Sequence, residues 1–351
     1  MQTAEEEIEL SGLELRETRY PLSFVDPTRV DDTHLADLAT ICRRTLETCC
    51  HETYMDCPHY EQLMYAGDAR LQRLTTYAQS SDARPAIKAL RMIESSRANF
   101  NQLPTHAAPR DAKFIPTFAL QWIGMVHDFA VHHDQPSVLR SMLPGVRSVL
   151  DRFWENMHAG LLRSLAGWSF VDWAADPFQF GVPQGGELAG LNATINLSLL
   201  IAIDHASDLE LYVGEKEMAS LYSRRADELT SRIAEEFLDP TRSVLRETPG
   251  MDTFTEHVQS LAVLSCRFEG KFDDFTRNPL LVRCSPYFTH CVFEALYRLH
   301  QAEAFFATVP VANGILMSCR PACIHLSVHQ FFQRSRYGLA SDTSCFAGTS
   351  S

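Results

Sequence analysis

Apolar and polar residues alternate in the first part of the chain, and this spacing changes near Asp31. Residues 8–30 alternate in short runs, which predicts one or two β-strands. From Asp31 onward the spacing is helical, and a first helix would carry one apolar face made of Leu35, Leu38, Ile41, Cys42 and Leu46. The clearest apolar stripe consists of Met218, Leu221, Tyr222, Ala226, Leu229, Ile233 and Phe237. Further helices are predicted near residues 69–80, 84–97, 116–133, 137–158, 188–211, 256–266 and 286–300. The pattern predicts a mostly helical domain of paired antiparallel helices.

One long segment between two predicted helices is rich in aromatic and acidic residues. Residues 167–187, GWSFVDWAADPFQFGVPQGGE, hold two tryptophans, three phenylalanines and three acids. Segments of this length without regular structure are uncommon unless they are functional. An aromatic face stacks on the C–H bonds of a sugar, and a carboxylate accepts hydrogen bonds from its hydroxyls. Sugar binding is therefore one interpretation; the other is a loop held in place by its own aromatic side chains.

A second acidic segment, MDCPHYEQLMYAGDAR, spans residues 55–70. If a helix begins near Pro58, then Glu61, Tyr65 and Asp68 lie on one face of it, because they are spaced by four and three residues. Asp56 would then be the N-cap of this helix. The alternative is an amphipathic helix whose acidic side is simply hydrated.

Composition and charge narrow the classes of partner. The 351 residues carry a formal net charge of -13, which disfavours nucleic acid and anionic membranes as partners. No window approaches the ~20 apolar residues of a membrane span. The acidic N-terminus shows no signal peptide, so the location is undetermined and cytoplasmic by default.

A late pattern, Cys319, Cys323, His325 and His329, has zinc-type ligands but lacks the insert that separates the two halves of a zinc site. We expect neither a metal nor a cofactor.

The acidic segment resembles the signature of the α-L-rhamnosidase family of inverting glycoside hydrolases (family 78 type). In that family a D-C-P-x-x-E segment precedes an aromatic-x-G-D segment, and here residues 56–61 and 65–68 agree with both. The resemblance continues through FIPTFALQWIGMVHDF, GWSFVDWA and FTEHVQSLAVL, in the same order along the chain. It covers roughly residues 20–300.

The resemblance implies an all-α fold, an (α/α)6 toroid of six helical hairpins with the active site at the mouth of the ring. Residues 1–30 would be the end of a preceding β-sandwich domain or linker strands, residues 31–308 the catalytic-type domain, and residues 309–351 an atypical tail that leaves the last hairpin incomplete. The general acid of the family falls on Glu61. The residues implied to bind the sugar are Asp56, Tyr65, Asp68, Trp168, Asp172 and Trp173. Tyr60 replaces an arginine that is frequent in the family, which leaves the identity of the sugar open.

The chain departs from the family where the general base is expected. The base is a glutamate that comes late in family members, but Asp342 is the one acidic residue among the last 48 here. Inversion requires a second carboxylate roughly 6.5–9.5 Å from the acid. We therefore expect no carboxylate of the tail opposite Glu61. Asp172 or Glu187 could serve as the general base instead.

Three functional hypotheses follow. The first is an α-L-rhamnosidase-type hydrolase that acts on a carbohydrate, terminal rhamnose or a related sugar in a glycoside. The second is a catalytically impaired domain that still binds sugar. The third is an (α/α)6 enzyme for a different sugar, which Tyr60 and Tyr65 favour. All three predict that Asp56, Glu61, Asp68, Trp168 and Asp172 converge on one cavity.

Overall fold

The computed structural model describes residues 11–25, 33–100, 102–107, 113–187, 189–268 and 275–308. Helices dominate these ranges, and the α-helices are α1 Thr33–Cys49, α2 Ala66–Gln79, α3 Arg84–Phe100, α4 Pro116–His132, α5 Pro136–Glu155, α6 Ala193–Val213, α7 Lys216–Phe237, α8 Glu256–Ser265 and α9 Thr289–Arg298. Residues 302–308 are helical as well. The prediction of a mostly helical chain is confirmed.

The helices form an inner and an outer layer. Helices α2, α4, α6, α8 and α9 pack against one another in that order, and α1, α3, α5 and α7 lie against them from outside. Burial follows this arrangement, since nine of the ten residues of α8 are buried but only six of the 22 residues of α7. A helix that is enclosed on all sides needs apolar or hydrogen-bonded residues all round, whereas an outer helix needs a single apolar stripe. This is the hairpin arrangement of an α/α toroid, as predicted.

The strands are two residues long and join loops at the ends of helices. They are β1 Met64–Tyr65, β2 His106–Ala107, β3 Met157–His158, β4 Leu161–Leu162, β5 Leu238–Asp239, β6 Val244–Leu245, β7 Phe254–Thr255 and β8 Leu281–Val282. Successive strands pair with each other, and the pair β7 with β8 is parallel. Within the described ranges no larger sheet forms, so strands position the helix ends rather than build a layer.

The N-terminal segment differs from the prediction in one respect. Residues 11–25 form neither a helix nor a strand. Tyr20 N donates to Cys50 O (2.8 Å) and Val25 N donates to Gln79 O (2.8 Å), so the segment binds the ends of α1 and α2. Tyr20, Leu22 and Phe24 pack on the helical core, which accounts for the alternation in the sequence. Leu13 and Leu15 follow the same alternation but are 92% and 94% exposed, so the pattern marks inward-facing residues only from Tyr20 to Phe24, and their partners are helix ends rather than another strand.

Several sequence-based expectations lie outside the described residues. These concern residues 1–10, 26–32 and 309–351, and include Asp342 and the Cys319–His329 pattern. No helix in the described ranges combines the length and the apolarity that a bilayer crossing requires.

Candidate active site

The segment before α2 is a closed loop. Residues 58–61 form a turn, and Gln62 has a left-handed backbone with φ of 56°. Asp56 N donates to Leu63 O (2.9 Å), and Leu63 N donates to Asp56 Oδ1 (2.8 Å). The prediction of a helix from Pro58 with Asp56 as its N-cap is therefore wrong, because these two bonds fold the chain back on itself. The helix begins eight residues later, at Ala66.

The loop nevertheless brings the predicted acids together. The Tyr65 hydroxyl donates to Glu61 Oε2 (2.6 Å), and Asp68 lies in the first turn of α2. Burial, followed by the charges of Asp56 and Glu61, raises the pKa of Asp68 from its usual value to about 7. Burial also raises the pKa of Tyr65, together with its hydrogen bond to Glu61 and the charges of Asp56 and Asp68. Asp56, Glu61, Tyr65 and Asp68, which we call the acid group, thus share one electrostatic environment.

A chain of aromatic contacts joins the acid group to the loop after α5. The ring of Tyr65 lies 6.4 Å from that of Phe118 on α4, and Phe118 lies 5.8 Å from Phe170. Phe170 in turn contacts Trp168 (4.9 Å) and Trp173 (5.1 Å). Trp168 is 40% exposed and Trp173 60%. The two tryptophans are therefore open to solvent near residues that precede them by about a hundred positions.

Asp172 lies between these tryptophans in sequence but points into the protein. It is fully buried. Its Oδ2 accepts from Ser285 N (2.8 Å) and lies 2.7 Å from His257 Nε2, while Oδ1 accepts from the Ser285 hydroxyl. The carboxylate therefore fastens the tryptophan-bearing loop to α8 and to the segment before α9.

Tyr287 connects Asp172 with the acid group. Its hydroxyl lies 2.6 Å from the point that a Cβ on Gly67 would occupy, so α2 and the start of α9 meet at the same end of the ring. Burial raises the pKa of Tyr287, and the charges of Asp68 and Asp172 raise it further. The geometry thus brings residues 56–68 and 168–173 to one end of the inner helices. Asp172 contributes by holding the tryptophan-bearing loop in place through its buried contacts with His257 and Ser285.

An ion pair below the acid group holds α2 against α4. Arg70 Nε donates to Asp128 Oδ2 (2.8 Å), and Arg70 Nη1 donates to Gln121 Oε1 (2.7 Å). Gly124 leaves the space that the guanidinium occupies, since a Cβ there would collide with it. The arrangement fixes the rotation of α2, which carries Asp68. Among the described residues, no group of three or more His, Cys, Asp or Glu could hold a metal ion.

A family profile described as the bacterial alpha-L-rhamnosidase 6 hairpin glycosidase domain matches residues 28–264. The chain belongs to this family. No curated protein sequence matches it. The assignment to the family therefore rests on the profile match. The solved structures described next support the fold.

Three solved structures of rhamnosidases resemble the chain. A family 78 rhamnosidase of Bacillus sp. GL1 has a TM-score of 0.79 at 21% identity and covers 90% of the chain. A Klebsiella oxytoca rhamnosidase with rhamnose bound has a TM-score of 0.74 at 18% identity and covers 88%. The Aspergillus terreus α-L-rhamnosidase has a TM-score of 0.58 at 15% identity and covers 83%. The chain spans 36%, 65% and 34% of these proteins, respectively.

Sequence reasoning missed the residues that hold the predicted ones in place. His257, Ser285 and Tyr287 position Asp172 and the start of α9, and Phe118 and Phe170 link Tyr65 to the tryptophans. His257 and Phe118 lie inside segments that resemble the rhamnosidase family, so their position in those motifs was an available signal. Ser285 and Tyr287 lie in a segment without a motif, and only the fold brings them to the site.

Proposed function

We propose that the acid group binds the terminal sugar of a glycoside, rhamnose or a closely related sugar, and that Glu61 is the general acid of an α-L-rhamnosidase-type hydrolysis. The observation that carries the proposal is the hydrogen bond from the Tyr65 hydroxyl to Glu61, inside a group that also contains Asp56 and Asp68. Membership of the rhamnosidase-type family supports it. The similar Klebsiella oxytoca structure, which holds rhamnose, supports the choice of sugar.

Each member of the acid group has a role in this proposal. Glu61 gives its proton to the glycosidic oxygen as the bond breaks, and Tyr65 orients its carboxyl group. Asp56 and Asp68 bind sugar hydroxyls. Because the pKa of Asp68 is about 7, this carboxyl can donate as well as accept a hydrogen bond near neutral pH. The exposed ring of Trp168 stacks on the apolar face of the sugar, and the exposed ring of Trp173 lies beside it.

The proposed mechanism also needs a general base, for which Asp172 and Glu187 are the candidates. An inverting enzyme needs a second carboxylate roughly 6.5–9.5 Å from the acid, with room for a water molecule between them. Asp172 is a poor candidate because it is fully buried and both of its oxygens accept hydrogen bonds. This observation favours the second hypothesis, a domain that binds rhamnosides better than it hydrolyses them. Glu187, which is exposed, is the alternative base.

The test combines hydrolysis of methyl α-L-rhamnoside, whose alkoxide leaving group must be protonated by the general acid, with calorimetry of rhamnose binding. Glu61→Gln should reduce hydrolysis by about 10²–10⁴-fold and leave rhamnose affinity nearly unchanged, since the amide keeps the shape of the side chain. Glu228→Gln, on the exposed side of α7, is the matched control and should change neither.

The outcomes separate the hypotheses. Rhamnose binding without measurable hydrolysis identifies the impaired domain. Fast hydrolysis that Glu187→Gln abolishes shows that Glu187 is the base. Failure to bind rhamnose, together with hydrolysis of another glycoside from a panel, supports the enzyme for a different sugar. Failure to bind or hydrolyse any of them contradicts the proposal.

A further inference from the structure

Phe180 has a backbone conformation that bulky residues rarely adopt. Gln179 and Val182 exchange both backbone hydrogen bonds (2.9 Å each), so Phe180 and Gly181 form a two-residue hairpin turn. Their φ angles are 50° and 73°. Positive φ at both positions is the geometry of a type I′ turn, in which Asn, Asp or Gly is normally found first. A phenylalanine there is an outlier among residues with a left-handed backbone.

Packing of the side chain does not compensate for this conformation. The ring of Phe180 is 86% exposed, so little apolar surface is buried in return. A second two-residue hairpin in the same protein uses Ala159 and Gly160, with φ of 52° and 78°. The turn therefore needs no aromatic ring for its own sake. Strained residues that the fold does not require are concentrated at functional sites.

The turn is fastened to the two tryptophans of the same loop. Trp168 Nε1 donates to Phe180 O (3.0 Å), and the rings of Trp168 and Trp173 lie 5.7 Å apart. Gly181 packs against Phe170, where a Cβ would collide with the ring. We call the exposed surface of Trp168, Trp173 and Phe180 the aromatic shelf. It continues the aromatic contacts that begin at Tyr65.

The backbone groups of the turn that carries Phe180 are already hydrogen-bonded within the loop. The carbonyl of Phe180 is bonded to Trp168, and that of Gly181 accepts from Val171 N (2.8 Å) and Asp172 N (3.2 Å). The backbone groups of Gln179 and Val182 are bonded to each other. A sugar would need several free partners for its hydroxyls, whereas a flat aromatic group needs mainly a ring to stack on.

We infer that Phe180, beside Trp173, binds the leaving group of the glycoside, and that this leaving group is aromatic, for example a phenol. The inference rests on the proposed function, because it requires the sugar to lie at the acid group. The leaving group would extend from the glycosidic oxygen near Glu61 over the aromatic shelf. Phe180 would then be a specificity-determining residue whose strained backbone presents its ring to the ligand.

The test compares the affinities of methyl and para-nitrophenyl α-L-rhamnosides by calorimetry, with Glu61→Gln in every protein to slow hydrolysis and with released para-nitrophenol measured after each titration. With Phe180 present, the aryl glycoside should bind about two- to twelvefold more tightly, which is the range expected for one stacked ring. Phe180→Asn should remove this preference and leave the affinity for the methyl glycoside within about twofold. Thermal unfolding should occur at the same or a higher temperature, because Asn suits the first position of the turn.

Ala159→Asn is the matched control. It introduces the same residue at the equivalent position of the other hairpin and should leave the aryl preference intact. If Phe180→Asn keeps the aryl preference, or weakens both glycosides equally, the inference is overturned. A preference for a rhamnosyl-glucose disaccharide that depends on Phe180 would overturn it in favour of a sugar leaving group. Absence of binding of every glycoside would instead refute the proposed function.

Discussion

Replacing Asp68 by asparagine should stabilise the protein at neutral and alkaline pH. Asp68 is half-buried in the first turn of α2. Burial, followed by the charges of Asp56 and Glu61, raises its pKa from 3.8 to about 7. The folded protein therefore resists the loss of this proton. Asparagine has a similar shape and carries no charge at any pH in this range.

The direction of the effect follows from proton binding. Because the pKa of Asp68 is higher in the folded state, the folded protein binds more protons than the unfolded chain between about pH 4 and pH 7, and its stability falls as the pH rises through this window. A shift of about three pKa units corresponds to about 4 kcal/mol once Asp68 is fully ionised. Partial exposure to solvent screens the charge, so we expect Asp68→Asn to gain about 2–4 kcal/mol at pH 8.

The measurement is urea unfolding of both proteins at a series of pH values from about 4 to 8. The difference in the free energy of unfolding should be small at the acidic end and should grow steadily toward pH 8. Asp37→Asn, on the exposed side of α1, is the control and should show no such growth. A gain from Asp68→Asn that is the same at every pH would refute the reasoning, because it would not come from ionisation.

Two further predictions concern packing at Gly67 and a buried charge at Glu210. Gly67→Ala should lower the free energy of unfolding by about 1–3 kcal/mol, since its Cβ would lie 2.6 Å from the Tyr287 hydroxyl and 2.7 Å from the Phe118 ring; an unchanged thermal unfolding temperature would contradict this. Arg147→Met should cost about 3 kcal/mol in urea unfolding, because it leaves fully buried Glu210 without the two hydrogen bonds of 2.7 and 2.6 Å. Adding Glu210→Gln should recover part of that loss.

The helical part of the fold could be predicted because its signal is local. The stripe from Met218 to Phe237 has a helical period, and six of the residues of α7 that it spans are buried. The first residue of a helix was harder to predict where a capping side chain determines it. Helix α6 begins at Ala193 rather than near residue 188, because the Asn192 side chain accepts from Ile195 N (3.0 Å) and donates to Glu247 Oε1 (2.7 Å). The second partner lies 55 residues away and could not be inferred from the pattern.

The acid group shows what a motif can and cannot predict. The motif named Glu61, Tyr65 and Asp68, and the structure places them in one electrostatic environment. The helix assumed to join them was wrong, because Gln62 takes a left-handed backbone and Asp56 bonds Leu63 across the loop. A spacing of four and three residues suits a helical face, but a closed loop followed by a short strand achieves the same proximity. The residue types were informative where the inferred local structure was not.

The contacts of Asp172 determine when, during synthesis on the ribosome, the loop that carries Trp168 and Trp173 can be fixed in place. His257 follows it by 85 residues and Ser285 by 113. A carboxylate that is buried before its partners are available costs free energy, so the loop that carries Trp168 and Trp173 gains its final anchor only after Ser285 has been synthesised. A chain that ends before Ser285 would contain α2, α4, α6 and α8 but would lack this anchor of the loop. The tryptophans reach their final position late, although they lie in the first half of the chain.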